Sequence, residues 1–139
     1  LWAQLENAKF ILESRLEIWN RYFLKLEQAE KNGYLRRPHI PADCKHNAHM
    51  FYIILPEKIS RQDVIKDLQR VSINTVFHYV PLHSSPAGKK YGKAVGEFKN
   101  TDTASERLLR LPLWIGLAEA DQDRICNALI RIIENRLMA

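Results

Sequence analysis

His49-Met50-Phe51-Tyr52-Ile53-Ile54-Leu55 is a near-continuous apolar run, closed by Pro56. Short apolar runs with a proline stop are the pattern of a buried strand. Downstream, Ser60 with Asp63 three residues later has the spacing of a capping box, in which hydroxyl and carboxylate satisfy free amides of a first helical turn. Val64, Ile65, Leu68 and Val71 then form one apolar face, so a helix is expected over about 61–71. Ile73 to Val80 alternates well enough for a second strand, stopped by Pro81. Upstream, Tyr34 to His46 carries Pro38 and Pro41 and reads as an extended connection.

Before that connection, Leu1, Leu5, Ala8, Leu12, Leu16, Trp19, Phe23 and Leu26 recur in steps of four and three. This is the stripe of a long amphipathic helix, ended at Asn32-Gly33, where glycine takes the left-handed cap. On the other side, Ser84 to Asn100 holds Pro86, Gly88, Gly92 and Gly96 among Lys89, Lys90, Lys93 and Lys99, and reads as a long loop. Thr103 with Glu106 is a second capping-box pair, opening a short helix through about Leu109. Leu111-Pro112-Leu113-Trp114 suits a short strand or edge segment, because proline cannot donate to a ladder. A final helix runs from Ala118 or Asp121 to Leu137, with Ile125, Leu129, Ile132 and Ile133 inward. The expected fold class is α+β, a two-layer α/β sandwich. Residues 1–33 form a long interdomain helix and 34–139 one domain.

The 139 residues are 46% hydrophobic and 27% charged, which excludes a disordered chain and suits a single core. No apolar run approaches the roughly 20 residues that span a bilayer, so no membrane role is expected. The start at Leu1-Trp2-Ala3-Gln4 has neither initiator Met nor a signal pattern, and is expected to be a cut into something larger. Lys plus Arg of 21 against Asp plus Glu of 16 gives a net charge of +5, which suits an anionic ligand such as a phosphate ester. Two cysteines, Cys44 and Cys126, are too few for a disulfide scaffold and fit a reducing cytoplasm.

Phe77-His78-Tyr79-Val80-Pro81-Leu82-His83 is the densest polar-aromatic stretch. An imidazole and a phenol at a strand end can point into a cleft and meet phosphates or hydroxyls. The plain alternative makes Tyr79 a half-buried strand residue and His78 its solvent-facing neighbour. Lys89 and Lys90 can close over an anion, though loop lysines are usually solvated. Cys44, His46 and His49, with His39 upstream, match no usual zinc spacing and lack a fourth ligand, so no metal is expected. The chain has no glycine-rich phosphate loop and no nucleophile elbow.

Five stretches, in order, carry a resemblance. They are Asn47-Ala48-His49-Met50-Phe51-Tyr52-Ile53; Arg61 with Val64, Ile65 and Leu68; His78-Tyr79-Val80-Pro81-Leu82-His83; Ser105 through Leu113; and Asp121-Gln122 with Arg124-Ile125. Together they resemble the C-terminal part of the DegT-type sugar-nucleotide aminotransferases, which have the aspartate-aminotransferase fold. The resemblance implies a small C-terminal domain behind a connecting helix, with the large domain and its Schiff-base lysine outside this sequence. It implies an enzyme that uses pyridoxal 5'-phosphate to move an amino group from L-glutamate to C4 of dTDP-4-keto-6-deoxy-glucose, serving cell-surface polysaccharide such as lipopolysaccharide or common antigen. It also implies a cytoplasmic homodimer, no nucleic acid, no catalytic residue in this stretch, and a fragment inactive alone that binds no cofactor. His78 and Tyr79 then face the nucleotide-sugar, with His83, Lys89 and Lys90 as weaker candidates. Trp2, Ala118 and Ser72 depart from the family pattern, which favours a small residue, a Ser or Thr cap and a turn glycine at those places. Two other readings stand beside this one: a free-standing α+β module that binds nucleotide or RNA, and a dimerisation domain.

Overall fold

A computed structural model describes residues 2–138. The first helical stretch is α1 (Trp2–Glu6), α2 (Ala8–Lys25) and α3 (Glu27–Lys31) rather than one unbroken helix. Hydrogen bonds still cross the interruptions, from Ile11 N–H to the Asn7 carbonyl and from Glu30 N–H to the Leu26 carbonyl. At Asn7 the side-chain amide donates to the Ala3 carbonyl, the local competition that amide side chains bring to helices. Gly33, at φ +75°, closes α3 in the left-handed cap. Tyr34 N–H bonds back to Ala29 and Gly33 N–H to Glu30.

The strands are β1 (Phe51–Ile54), β2 (Val76–Phe77) and β3 (Leu108–Leu111), in antiparallel order β1-β3-β2. Between β1 and β2 lies α4 (Arg61–Arg70), whose first turn is capped by the Ser60 hydroxyl accepting from Asp63 N–H. Four sequence expectations need correction. The strand near residue 111 lies earlier, at 108–111, and is central rather than at the edge; Pro112 ends it instead of weakening it. The strand expected over 73–80 shrinks to Val76 and Phe77, paired with Arg110 and Leu109; by that register Tyr79 would face Arg107, which already lies in a helix. The loop at 84–100 contains α5 (Pro86–Tyr91), with Pro86 in its first turn and the Ser85 hydroxyl accepting from Gly88 N–H. After it, α6 (Lys99–Arg107) starts one turn ahead of the expected Thr103 cap, with Phe98 at its N-terminus. The last helix, α7 (Glu119–Met138), follows Ala118, which supplies no side-chain cap.

Register puts Phe51 opposite Leu111 and Ile53 opposite Leu109 on one sheet face. That face is the core, shared with Trp19, Tyr22 and Leu26 of the first helices, Val64 and Leu68 of α4, and Leu129 and Ile133 of α7. Trp19 and Tyr22 rings sit 5.3 Å and 5.1 Å from the Phe51 ring. Burying each such side chain is worth about 1.5–3 kcal/mol. Gln122, fully buried, joins α2 to α7: its amide donates to the Ile18 carbonyl and accepts from Arg21, each at 2.9 Å. The fold is an α+β small domain with helices on one sheet face. Opposite the core, the row Tyr52, Arg110 and Val76 stays partly open. Among the described residues no helix is long and apolar enough to cross a membrane.

Candidate functional site

Leaving β2 at Phe77, the chain enters the segment that the sequence marks. His78 is partly buried and Tyr79 is 81% exposed, the reverse of the plain strand alternative. Their rings meet edge to face at 4.8 Å, and His78 Nδ1 is enclosed with no hydrogen-bond partner. A turn follows, in which Ser85 N–H bonds to the Pro81 carbonyl at 3.0 Å and the Ser84 hydroxyl donates to the same oxygen.

That turn delivers His83 into a bracket. Its Nε2 lies 2.8 Å from Asp102 Oδ1, and its ring stacks on Phe98 at 4.4 Å with planes 15° apart. Phe98 and Asp102 are one turn apart at the start of α6, so one helix end supplies both contacts. Opposite them, α5 lies over the turn, and between the two helices is a cleft of about 650 Å³. Leu82, His83, Gly88, Tyr91, Lys93 and Phe98 are among its lining residues. Such a space is mostly apolar, with a few placed polar groups, as small-molecule sites are.

The structure therefore divides the sequence candidates. His83 lines the cleft, while His78 and Tyr79 stand outside its lining, next along the chain. Lys89 and Lys90 are exposed on α5; Lys90 Nζ rests 4.9 Å over the Tyr91 ring, and Lys93 is the lysine at the cleft. Sequence reading missed Tyr91, Phe98 and Asp102. The i, i+4 spacing of the last two is a signal only when α6 begins at Lys99, ahead of the expected Thr103 cap.

Arg61 braces the same region from α4. Its guanidinium donates to the Ser105 carbonyl and sits 5.2 Å over the Phe77 ring, tying the end of α6 to the end of β2. The zinc-like group comes apart: His46 packs on Trp19 at 4.4 Å and accepts from Ala48 N–H, while Cys44 is exposed. No group of three metal-capable side chains converges among the described residues.

The residues here do not fit a covalent cofactor site. An imine-forming lysine needs its ammonium destabilised by burial or by like charge. Every lysine is exposed except Lys25. Hydrogen bonding to Asp123, with help from Glu119, pushes the Lys25 ammonium above its ordinary value, the wrong direction for a nucleophile.

Comparison with known proteins places the fold in context. The chain is 33% identical over 135 residues to GDP-perosamine synthase of Caulobacter vibrioides, covering 94% of this chain and 35% of that one. A DegT DnrJ EryC1 StrS aminotransferase from Brucella abortus superposes with a TM-score of 0.79 at 28% identity, over 95% of this chain and 34% of that one. NtdA from Bacillus subtilis, solved with bound cofactor PMP, gives 0.74 at 26% identity, over 87% and 28%. The chain thus spans about a third of the length of these relatives and matches the C-terminal third of fold type I sugar aminotransferases. A family model for the DegT/DnrJ/EryC1/StrS aminotransferases matches residues 1–130, and the chain belongs to that family of pyridoxal-phosphate-dependent sugar aminotransferases.

Proposed function

We propose that this chain is the substrate-facing small domain of an enzyme that transfers an amino group from L-glutamate to C4 of a nucleotide-linked 4-keto-6-deoxy sugar, dTDP-4-keto-6-deoxy-glucose in the first instance. The observation that carries the reading is His83, which lines the cleft and is bracketed by Asp102 and Phe98. An imidazole held that way can donate to a phosphate oxygen or accept from a sugar hydroxyl. Lys93 adds positive charge at the rim, and Tyr91 and Phe98 supply aromatic surface.

His78 and Tyr79 contribute from the adjoining stretch, where the exposed Tyr79 phenol can donate to a ligand oxygen. The cofactor chemistry is supplied by residues outside this sequence, since no lysine here suits it, and the fragment alone is inactive. The working enzyme is a cytoplasmic homodimer feeding cell-surface polysaccharide, and the free thiols Cys44 and Cys126 agree with a reducing compartment. A free-standing RNA-binding module has less support: the open sheet row Tyr52, Arg110, Val76 offers one aromatic and one cation.

The test is the visible spectrum of the complete gene product. The cofactor band is expected to bleach with L-glutamate and to return with dTDP-4-keto-6-deoxy-glucose. Return only with the GDP-linked keto sugar changes the nucleotide, and no band at all removes the enzyme reading.

A further inference from the structure

We propose that Asp102 is a positioning residue, which accepts the Nε2 proton of His83 and so decides which imidazole nitrogen is left for the ligand. The inference rests on the reading that His83 faces the nucleotide-sugar. A neutral imidazole carries one N–H and can place it on either nitrogen. A carboxylate only accepts, so Asp102 at 2.8 Å holds that proton on Nε2. Nδ1 is then the free atom: it accepts from a sugar hydroxyl while the ring is neutral, and donates to a phosphate oxygen once the ring takes a second proton.

Two further observations make this a built arrangement. Phe98 covers one face of the ring in near-parallel contact, so rotation of the imidazole away from Asp102 sacrifices the stack. Asp102 N–H donates to the Phe98 carbonyl at 2.9 Å, so both holding groups move with one helical turn. The Asp102 side chain is half exposed, which keeps the effect modest.

The test uses the complete gene product with Asp102→Ala, Asp102→Asn, His83→Ala and the double variant. dTDP is the calorimetric probe, and KM and kcat are measured for dTDP-4-keto-6-deoxy-glucose. Asp102→Ala is expected to weaken dTDP and raise KM about three- to tenfold, the span of one hydrogen bond of ordinary strength, with kcat and Tm nearly kept. Asp102→Asn keeps an acceptor oxygen and should recover most of the loss. In the His83→Ala background the second change should add nothing. An equal loss with and without His83, or no loss in Asp102→Ala, overturns the positioning role. Failure of the unmutated protein to bind dTDP or GDP overturns the substrate reading itself, a separate result from either of those.

Discussion

Gly88 stands so close to Leu82 that a Cβ added to it would lie 1.6 Å from the Leu82 carbonyl oxygen. The absence of a side chain is what lets α5 settle onto the turn that delivers His83. The same contact sets the width of the cleft, because Leu82, His83 and Gly88 all line it.

Gly88→Ala should therefore push α5 off the turn. A backbone oxygen cannot rotate aside as a flexible side chain does, so overpacking of about 2–3 kcal/mol is expected. Chemical denaturation measures the stability, and dTDP titration should show the cleft weakened in parallel. A variant within about 0.5 kcal/mol of the parent, with unchanged dTDP affinity, contradicts this account.

Substitutions along the proposed substrate-facing segment should separate by position. In the complete gene product, His78→Ala and Tyr79→Phe should raise KM for the sugar nucleotide more than they alter cofactor loading. His83→Ala should cost about tenfold or less, and Lys89→Ala or Lys90→Ala little, since exposed charges on α5 are screened. Unchanged kinetics in both His78→Ala and Tyr79→Phe remove that pair from the substrate contacts.

Much of this was legible in the chain because local chemistry decides it. The Ser60 cap and the Asn32-Gly33 stop depend on neighbours in sequence and form where expected, and the run 49–55 holds a strand over its middle, Phe51–Ile54. The errors in the strands share one physical cause. Whether Leu108–Leu111 is an edge or a centre depends on two other strands, and whether 79–80 joins a ladder depends on where β3 starts. The site was half legible for the same reason: His83 was visible as a residue type, but its Asp102 and Phe98 partners come from 15 and more positions away.

Two helix ends repeat one motif with different residues. At the end of α3 the left-handed position is Gly33; at the end of α4 it is Ser72, at φ +58°. Ser72 N–H bonds to Gln69 and Ile73 N–H to Leu68, each at 2.9 Å. A Cβ in that conformation is strained by about 1 kcal/mol. Ser72→Gly should then raise stability by about 0.5 kcal/mol, after the extra freedom of glycine in the unfolded chain is subtracted. A lower Tm in that variant shows that the serine relieves its own strain.

Acid should unfasten the end of the first helical stretch. Arg37 gives its backbone N–H and Nε to the two carboxylate oxygens of Glu30, both at 2.6 Å, and its guanidinium covers the Phe23 ring at 4.0 Å. Burial pushes the Glu30 carboxyl up, but the Arg37 hydrogen bonds outweigh it and hold it below the ordinary carboxylate range. A depressed folded value stabilises above the unfolded value, about 4.3, and that share is lost as pH falls through the folded one. Glu30→Gln should cost about 1–2 kcal/mol at pH 7 and progressively less below pH 4. A constant difference across that range argues against the ion pair.

The two thiols should report packing independently of any activity. Burial pushes the Cys126 thiol up to about 12, with Asp123 adding to the rise and Lys25 opposing it. Cys44 is exposed on the connection before β1. Because the thiolate is the nucleophile, iodoacetamide at pH 8 should label Cys44 quickly and leave Cys126 untouched, as read by peptide mass mapping. In denaturant both should react. Rapid labelling of Cys126 in the native protein would mean that α7 opens away from α2, and with it the Gln122 bridge that joins those helices.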